Sequence, residues 1–147
     1  MPTVNGVVQK AFTVAGTSTT ECHLNRSTDG RYLVLVADVS PVVESFLRFA
    51  VTGTSGLLID TAKLRMTAAA VSAAPSNSGG ELHPISDNTW SEASTTYNNR
   101  PTIDGATFNT VGTVKVKQTV DFTVTPAIAG DGTYSFALVS TAKDNVL

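Results

Sequence analysis

The sequence predicts an all-β domain, a β-sandwich or jelly roll of about nine antiparallel strands. The chain has 22 Thr and 18 Val among 147 residues, and these β-branched types favour strands. Short apolar or alternating runs recur between clusters of turn residues, as they do in sandwiches and barrels. A chain of this length can bury a core of its own, so we expect residues 1–147 to form a single domain.

Nine β-rich runs follow one another along the chain, separated by turn chemistry such as "STDG", "TGTSG", "PSNSGG", "RPTIDG" and "AGDG". The predicted strands are 7–14, 20–25, 31–39, 44–51, 59–69, 80–86, 113–118, 120–128 and 133–140. In the sixth run, Pro84 follows His83, which places these residues at the end or edge of a strand. The Ala-rich segment 67–74 lacks an amphipathic stripe and ends at a proline, so we interpret it as the end of a strand running into a loop.

Alternation within the runs assigns side chains to opposite faces of a sheet. In "SFLRFAV", Leu47 and Phe49 share an apolar face and Arg48 lies on the other. In "TAKLRMT", Leu64 lies on the apolar face and Arg65 on the other. In "TVKVKQ", valines alternate with lysines in the same way.

If these strands share a sheet in aligned register, five of the ten basic residues form one stripe. They are Arg48, Lys63, Arg65, Lys115 and Lys117. Arginine offers a planar fork that suits carboxylates and lysine a point charge, so the stripe suits a polyanionic glycan. Two other interpretations stay open: these are ordinary solvated residues, or lysines that discourage pairing of an exposed strand edge.

Charge and composition exclude several function classes. Only 15% of residues are charged and the net charge is −2, which provides no basic field for nucleic acid or an anionic membrane. No stretch approaches the ~20 apolar residues of a membrane helix, and the first ten residues lack the apolar core of a signal peptide. The single cysteine, Cys22, is expected to behave as a small buried side chain.

From the sequence we expect that the protein is not an enzyme. It contains no phosphate-binding glycine loop, no nucleophile elbow, and no carboxylate pair that can be nominated for glycoside hydrolysis. Glu21 and His23 alternate on one strand face, but two ligands are too few for a transition metal. Calcium remains possible, with Asp29 or Asp131 as loop ligands, and no other cofactor is expected.

The segment "DNTWSEASTTYNNRP" (87–101) contains the only tryptophan of the chain. Trp90 is interpreted either as a plug at the end of the sandwich or as a sugar-stacking platform. Tyr97 is expected to be buried with its hydroxyl outward, and with Trp90 it is also a candidate ligand-binding residue. Glu92 and Arg100 are candidates for an ion pair that fixes this long loop.

Five ordered blocks carry a family resemblance: "ESFLRFAVTG", "IDTAKLRM", "TWSEASTTYNNRP", "VDFTVT" and "GTYSFALVSTAKD". With these blocks, the chain resembles DNRLRE-type, disaggregatase-related domains, which include the family-96 carbohydrate-binding modules, from about residue 18 to its end. The most specific motif comprises Trp90, Ser91, Glu92, Tyr97, Asn99 and Pro101. The resemblance implies a noncatalytic β-sandwich or jelly-roll module, outside the cell or on its surface, that binds an acidic polysaccharide such as alginate.

The chain departs from that family pattern in two places. The early Asn-Tyr-Gly turn is missing, and the chain ends at "TAKDNVL", where relatives continue into a final strand. An edge left in this way is open to strand addition or homo-oligomer formation. These departures, Met1 and the low charge favour an alternative function: a structural subunit of a virion, such as a decoration protein, or of a surface filament or layer.

Overall fold

The chain has an all-β fold in a computed structural model. The structure describes residues 7–15, 22–23, 38–39, 42–70, 75–91 and 94–141. The strands are β1 (Val7–Ala15), β2 (Cys22–His23), β3 (Asp38–Val39), β4 (Val42–Val51), β5 (Lys63–Thr67), β6 (Gly80–Ile85), β7 (Asn109–Val111), β8 (Thr119–Thr123) and β9 (Gly132–Val139). Helical structure in this part of the chain is limited to a 3-10 turn at Thr125–Ala127. None of the helical structure described could cross a membrane.

The strand count is lower than the sequence predicts. Seven strands in the described residues have three or more residues, and β2 and β3 have two each. The predicted strand 113–118 is wrong, because only Val114 pairs there, with Ser76, and the next residues form a turn closed by the Gln118 N–H on the Lys115 carbonyl. Most of the predicted strands 20–25 and 31–39 lies outside the described residues.

The described residues form two antiparallel sheets. The larger has the order β2-β1-β4-β9-β6-β7, with β3 also paired to β4, and the smaller consists of β5 and β8. Three pairings are nested: β4 pairs with β9, β5 with β8, and β6 with β7. Each pairing therefore encloses the next, and the innermost one encloses the long segment 86–108.

The main core lies between the two sheets. Leu64 and Phe122 of the smaller sheet pack with Leu82, Phe136 and Leu138 of the larger one. This meeting of apolar faces confirms a β-sandwich with the predicted inward face of β5. On β4, the apolar face is also as predicted, since Leu47 is buried and Phe49 packs edge-on against Phe136 with ring centroids 6.3 Å apart.

Strand β6 accommodates a proline because one of its edges is open beyond residue 82. It pairs with β9 as far as Ile85, but with β7 only as far as Leu82. Pro84 cannot donate a ladder hydrogen bond and is tolerated where a strand has a free edge. The predicted edge position of His83 and Pro84 is therefore confirmed on the β7 side of the strand.

Replacing Phe122 should weaken the contact between the sheets more than any surface change. Phe122 is fully buried, so we expect Phe122→Ala to lower the free energy of unfolding by about 3–5 kcal/mol. The control is Leu58→Ala, whose side chain is 93% exposed and whose loss should cost less than about 0.5 kcal/mol. Urea unfolding measures both, and equal losses would contradict the assigned core.

Candidate functional site

One face of β4 holds the long segment 86–105 against the larger sheet. Glu44, Phe46 and Arg48 alternate along β4 and therefore lie on the same face. Phe46 is fully buried in a second apolar cluster, together with Trp90 and Ile85. The part of the larger sheet formed by β4, β6 and β9 is thus covered on both faces, by the smaller sheet on one side and by this segment on the other.

Arg48 binds the segment through its guanidinium group. Its Nη1 donates to the backbone oxygens of Asn88, at 2.6 Å, and Trp90, at 2.9 Å. The guanidinium carbon also lies 4.8 Å from the centre of the Trp90 ring, a cation-π contact. Through these contacts the Arg48 side chain binds the loop that covers it.

Arg100 makes the reciprocal contact, from the segment back to β4. Its Nε lies 2.6 Å from Oε2 of Glu44, and its Nη1 donates to the Tyr97 backbone oxygen at 2.7 Å. The guanidinium covers the Tyr97 ring, with its carbon 3.7 Å from the ring centre. Arg100 fixes the loop as predicted, but its observed partner is Glu44, while Glu92 lies outside the described residues.

The remaining motif residues that the structure describes fold the loop onto itself. The Thr95 hydroxyl and backbone N–H both donate to the Ser91 backbone oxygen. The Asn99 side chain accepts from the Thr96 N–H and donates to the Ser94 carbonyl at 2.9 Å. Short polar side chains commonly satisfy backbone groups in this way, so the motif specifies the shape of the loop.

Trp90 is placed as a plug of the second cluster. Its side chain is 6% exposed, and its Nε1 donates to the Ser135 hydroxyl at 3.2 Å. Tyr97 is half-buried against the same cluster. Of the two interpretations of Trp90, the plug matches this burial, because a stacking platform needs an open ring face.

The outer face of the smaller sheet carries two of the predicted cations. Arg65 donates from Nε and Nη2 to the two carboxylate oxygens of Asp121, at 2.7 and 3.0 Å. Lys63 lies 3.6 Å from the same carboxylate. The Arg65 guanidinium holds the pKa of Asp121 below its ordinary range, chiefly through these hydrogen bonds. The Arg65 and Lys63 side chains remain 69% and 51% exposed, so this face is open to solvent.

The predicted five-cation stripe requires correction, since its members do not share one face. Arg48 belongs to the larger sheet and lies beneath the loop, whereas Lys63 and Arg65 belong to the smaller sheet. Lys115 and Lys117 are exposed in the turn that precedes β8, and Lys117 has a φ of +61°. That turn adjoins the smaller sheet, because the Ala68 N–H donates to the Gln118 carbonyl just beyond the last ladder pair.

Asp131, one of the two calcium candidates, stabilises a loop. Its carboxylate accepts hydrogen bonds from the Thr54 hydroxyl, at 2.6 Å, and from the N–H groups of Thr54 and Gly53. These donors lower its pKa, the Thr54 hydroxyl most of all. Asp29, the other candidate, lies outside the described residues, within which no group of three His, Cys, Asp or Glu side chains converges as a metal site would require.

Sequence reasoning missed two acidic residues that organise these surfaces, Glu44 and Asp121. Asp121 alternates with Val120 and Phe122 along β8, which marks it as outward-facing. That pattern could have identified the acid, but its pairing with Arg65 depends on the register of β5 against β8. Glu44 lacked any such signal, because its partner is 56 residues away.

Two packed sheets with a clamped loop on one side and an exposed cationic face on the other define a small β-sandwich domain. The family model of carbohydrate-binding module family 96 matches residues 12–147, and the chain belongs to that family. The predicted resemblance is thereby confirmed. No curated protein sequence matches the chain. Modules of this kind are typically noncatalytic and often extracellular or surface-located.

Arg48 and Arg65 should differ in their effect on stability, because one is committed to the loop and the other faces solvent. We expect Arg48→Ala to lower the free energy of unfolding by about 1.5–3 kcal/mol, since two backbone oxygens lose a charged donor. Arg65→Ala should cost at most about 1 kcal/mol, as an exposed ion pair does. Urea unfolding compares the two variants, and a larger loss for Arg65→Ala would show that the clamp is misassigned.

Arg65→Ala should also raise the pKa of Asp121 toward the ordinary range of an aspartate. A carboxylate whose folded-state pKa is lowered stabilises the fold above its unfolded pKa, and that stability is lost as the pH falls through the folded-state value. Removing Arg65 therefore reduces this acid dependence, and the part that Lys63 contributes remains. NMR titration of the side-chain carboxyl measures the pKa, with Lys115→Ala as the control, and an unchanged value in Arg65→Ala would refute the pairing.

Proposed function

We propose that this module binds an acidic polysaccharide, such as alginate, through the outer face of the smaller sheet and the adjoining turn. The proposed ligand-binding residues are Lys63, Arg65, Lys115 and Lys117. The supporting observation is that all four side chains are exposed, two on β5 and two in the turn that adjoins the β5–β8 sheet. Arg48, Trp90 and Tyr97 then serve the site indirectly, by fixing the loop on the opposite side of the larger sheet.

The charge of this face supports an anionic ligand. β5, β8 and the turn 115–118 together carry four cations and one carboxylate, a local charge of 4 − 1 = +3, in a chain of net charge −2. Locally concentrated charge attracts a polyanion even when the whole molecule is weakly acidic. Because the groups are exposed, the attraction should weaken as salt is added.

Arg65 has the geometry of a specificity residue. Its bonds to Asp121 use two of the five N–H groups of a guanidinium, so three remain for a ligand carboxylate. Asp121 also restrains the side chain, which reduces the conformational entropy lost on binding. Lys63 and the two turn lysines supply point charges around this fixed fork.

We extend the proposal to the strand topology of the module, to its lack of catalytic activity and to its location. We propose a jelly-roll topology, in which a long hairpin is wound back on itself, and the nested pairing of the strands supports it. The module acts without catalysis, outside the cell or on its surface, where an acidic polysaccharide would be met. Nucleic acid and membrane are not its partners.

Affinity electrophoresis in alginate gels tests the proposal. We expect the double substitution Lys63→Ala, Arg65→Ala to weaken retention about tenfold or more, since each lost charged contact contributes about 1 kcal/mol or more. Lys115→Ala with Lys117→Ala should weaken it by a smaller factor, because lysine lacks the bidentate fork. Retention of the unchanged protein should fall as salt rises from 50 to 500 mM, roughly a threefold shortening of the Debye length.

A charge-matched control separates the site from the net charge. Ala106→Glu, at an exposed position next to β6, makes the chain one unit more negative and should leave retention almost unchanged. Equal losses in the control and in Arg65→Ala would refute a localised site. If no uronic-acid polymer is retained and light scattering shows an oligomer at high concentration, the structural-subunit alternative is favoured instead.

A further inference from the structure

A separate cleft, to which no residue of β5 or β8 contributes, lies between the start of β9, the end of β6 and the segment that follows it. Its volume is about 340 Å³, at the lower end of the range for small-molecule sites. Phe108 and Tyr134 contribute half-buried aromatic rings to its lining, and Ser86, Asn88, Asp104 and Thr133 contribute polar groups. We propose that this cleft binds one neutral, hydroxyl-rich sugar unit, independently of the cationic face.

The charge of the cleft selects against acidic sugars. Asp104 is the only charged side chain among the lining residues that the structure describes. Its carboxylate accepts from the Ser86 hydroxyl and from the Ser86 N–H, the latter at 3.0 Å, and the pKa of Asp104 is lowered chiefly by the hydroxyl. An ionised carboxylate has about four acceptor positions, so about two remain for sugar hydroxyls. A uronate would instead meet a like charge.

The aromatic wall is fixed in place. The Tyr134 hydroxyl donates to the Gly130 carbonyl at 2.9 Å and accepts from the Ala129 N–H, so its ring has a set orientation. An aromatic ring offers an apolar face to the C–H face of a sugar, as the aromatic body of a side chain does to other apolar groups. The combination of such a ring with a carboxylate suits a ligand that is apolar on one face and hydroxylated at its edge.

Asn88 supplies a further acceptor at the wall. Its Oδ1 is buried and has no hydrogen-bond partner among the described residues, although such groups are normally satisfied. A sugar hydroxyl seated against Asn88 would supply the missing donor once the amide turns toward the cleft. The opposite wall is held closely, because the Gly105 carbonyl lies 3.0 Å from Nδ1 of His83 and a Cβ at Gly105 would collide with Pro84.

NMR spectroscopy of the whole chain tests this site separately from the cationic face. We titrate the protein with cellotetraose and mannotetraose as neutral probes and with tetramannuronate as the acidic probe. We expect at least one neutral probe to shift the backbone signals of residues 84–88, 104–108 and 133–136, while tetramannuronate leaves them in place. Asp104→Ala should weaken neutral binding at least tenfold, and Arg65→Ala should leave it unchanged.

Thr133→Trp provides a variant that blocks the cleft without removing a buried group. Thr133 is exposed on β9 and tryptophan suits a strand, so we expect an unchanged melting temperature and no neutral binding. The proposal is overturned if neither neutral probe at millimolar concentration moves the cleft signals, or if Thr133→Trp binds as tightly as the parent. Loss of alginate retention in the β5–β8 variants has no bearing on these signals, so failure of one site is distinguishable from failure of the other.

Discussion

The fold depends on how the segment 86–105 covers one face of β4. That face carries Glu44, Phe46 and Arg48, two ionisable side chains on either side of an apolar one. A fully buried phenylalanine between two ionisable residues can be accommodated only if each charged group finds partners in the covering layer. The segment 86–105 provides them, with backbone oxygens for Arg48 and with Arg100 for Glu44. The two arginines point in opposite directions across this interface, so neither the strand nor the loop can shift without breaking a charged hydrogen bond.

This constraint separates structural arginines from exposed ones. Arg48 and Arg100 each combine a backbone oxygen with an aromatic ring, which uses both the donors and the flat face of a guanidinium. Arg65 combines a single exposed carboxylate with solvent. Whether an arginine is structural or exposed depends on the sheet that carries it. The long loop covers one side of the larger sheet, whereas the outer side of the β5–β8 sheet remains open to solvent. Among the described residues, the exposed cations therefore lie on the smaller sheet and in the turn that precedes β8.

Alternation in the sequence was sufficient to predict the faces of individual strands, but not which strands share a sheet. Leu47 and Leu64 are inward and Arg65 is outward, as the pleat requires. Arg48 also lies opposite Leu47, but a loop covers its face, and no local pattern records a contact made 40 residues away. Register likewise depends on distant partners, so the one-stripe prediction combined correct faces with a wrong sheet assignment.

The "TVKVKQ" run shows a second limit of periodicity. Val114 is buried as predicted, but Val116 is 39% exposed and Lys117 takes a left-handed conformation that suits a turn. An alternating pattern of two lysines and two valines is too short to distinguish a strand from a turn that follows one buried residue. The predicted strand 113–118 is consequently absent, and the exposed lysines lie beyond the β5–β8 ladder instead of along a strand.

The uneven distribution of charge follows from the different lengths of acidic and basic side chains. Asp87, Asp104 and Asp131 each accept hydrogen bonds from Ser or Thr in nearby turns and loops, and these bonds lower their pKa values. A short carboxylate reaches backbone groups and hydroxyls close to its own chain, so acids become part of the loops. Lysine and arginine stems extend their charges into solvent. A chain of net charge −2 can therefore present a positive sheet face, because these three aspartates are engaged in turns and loops while the cations around β5 remain exposed.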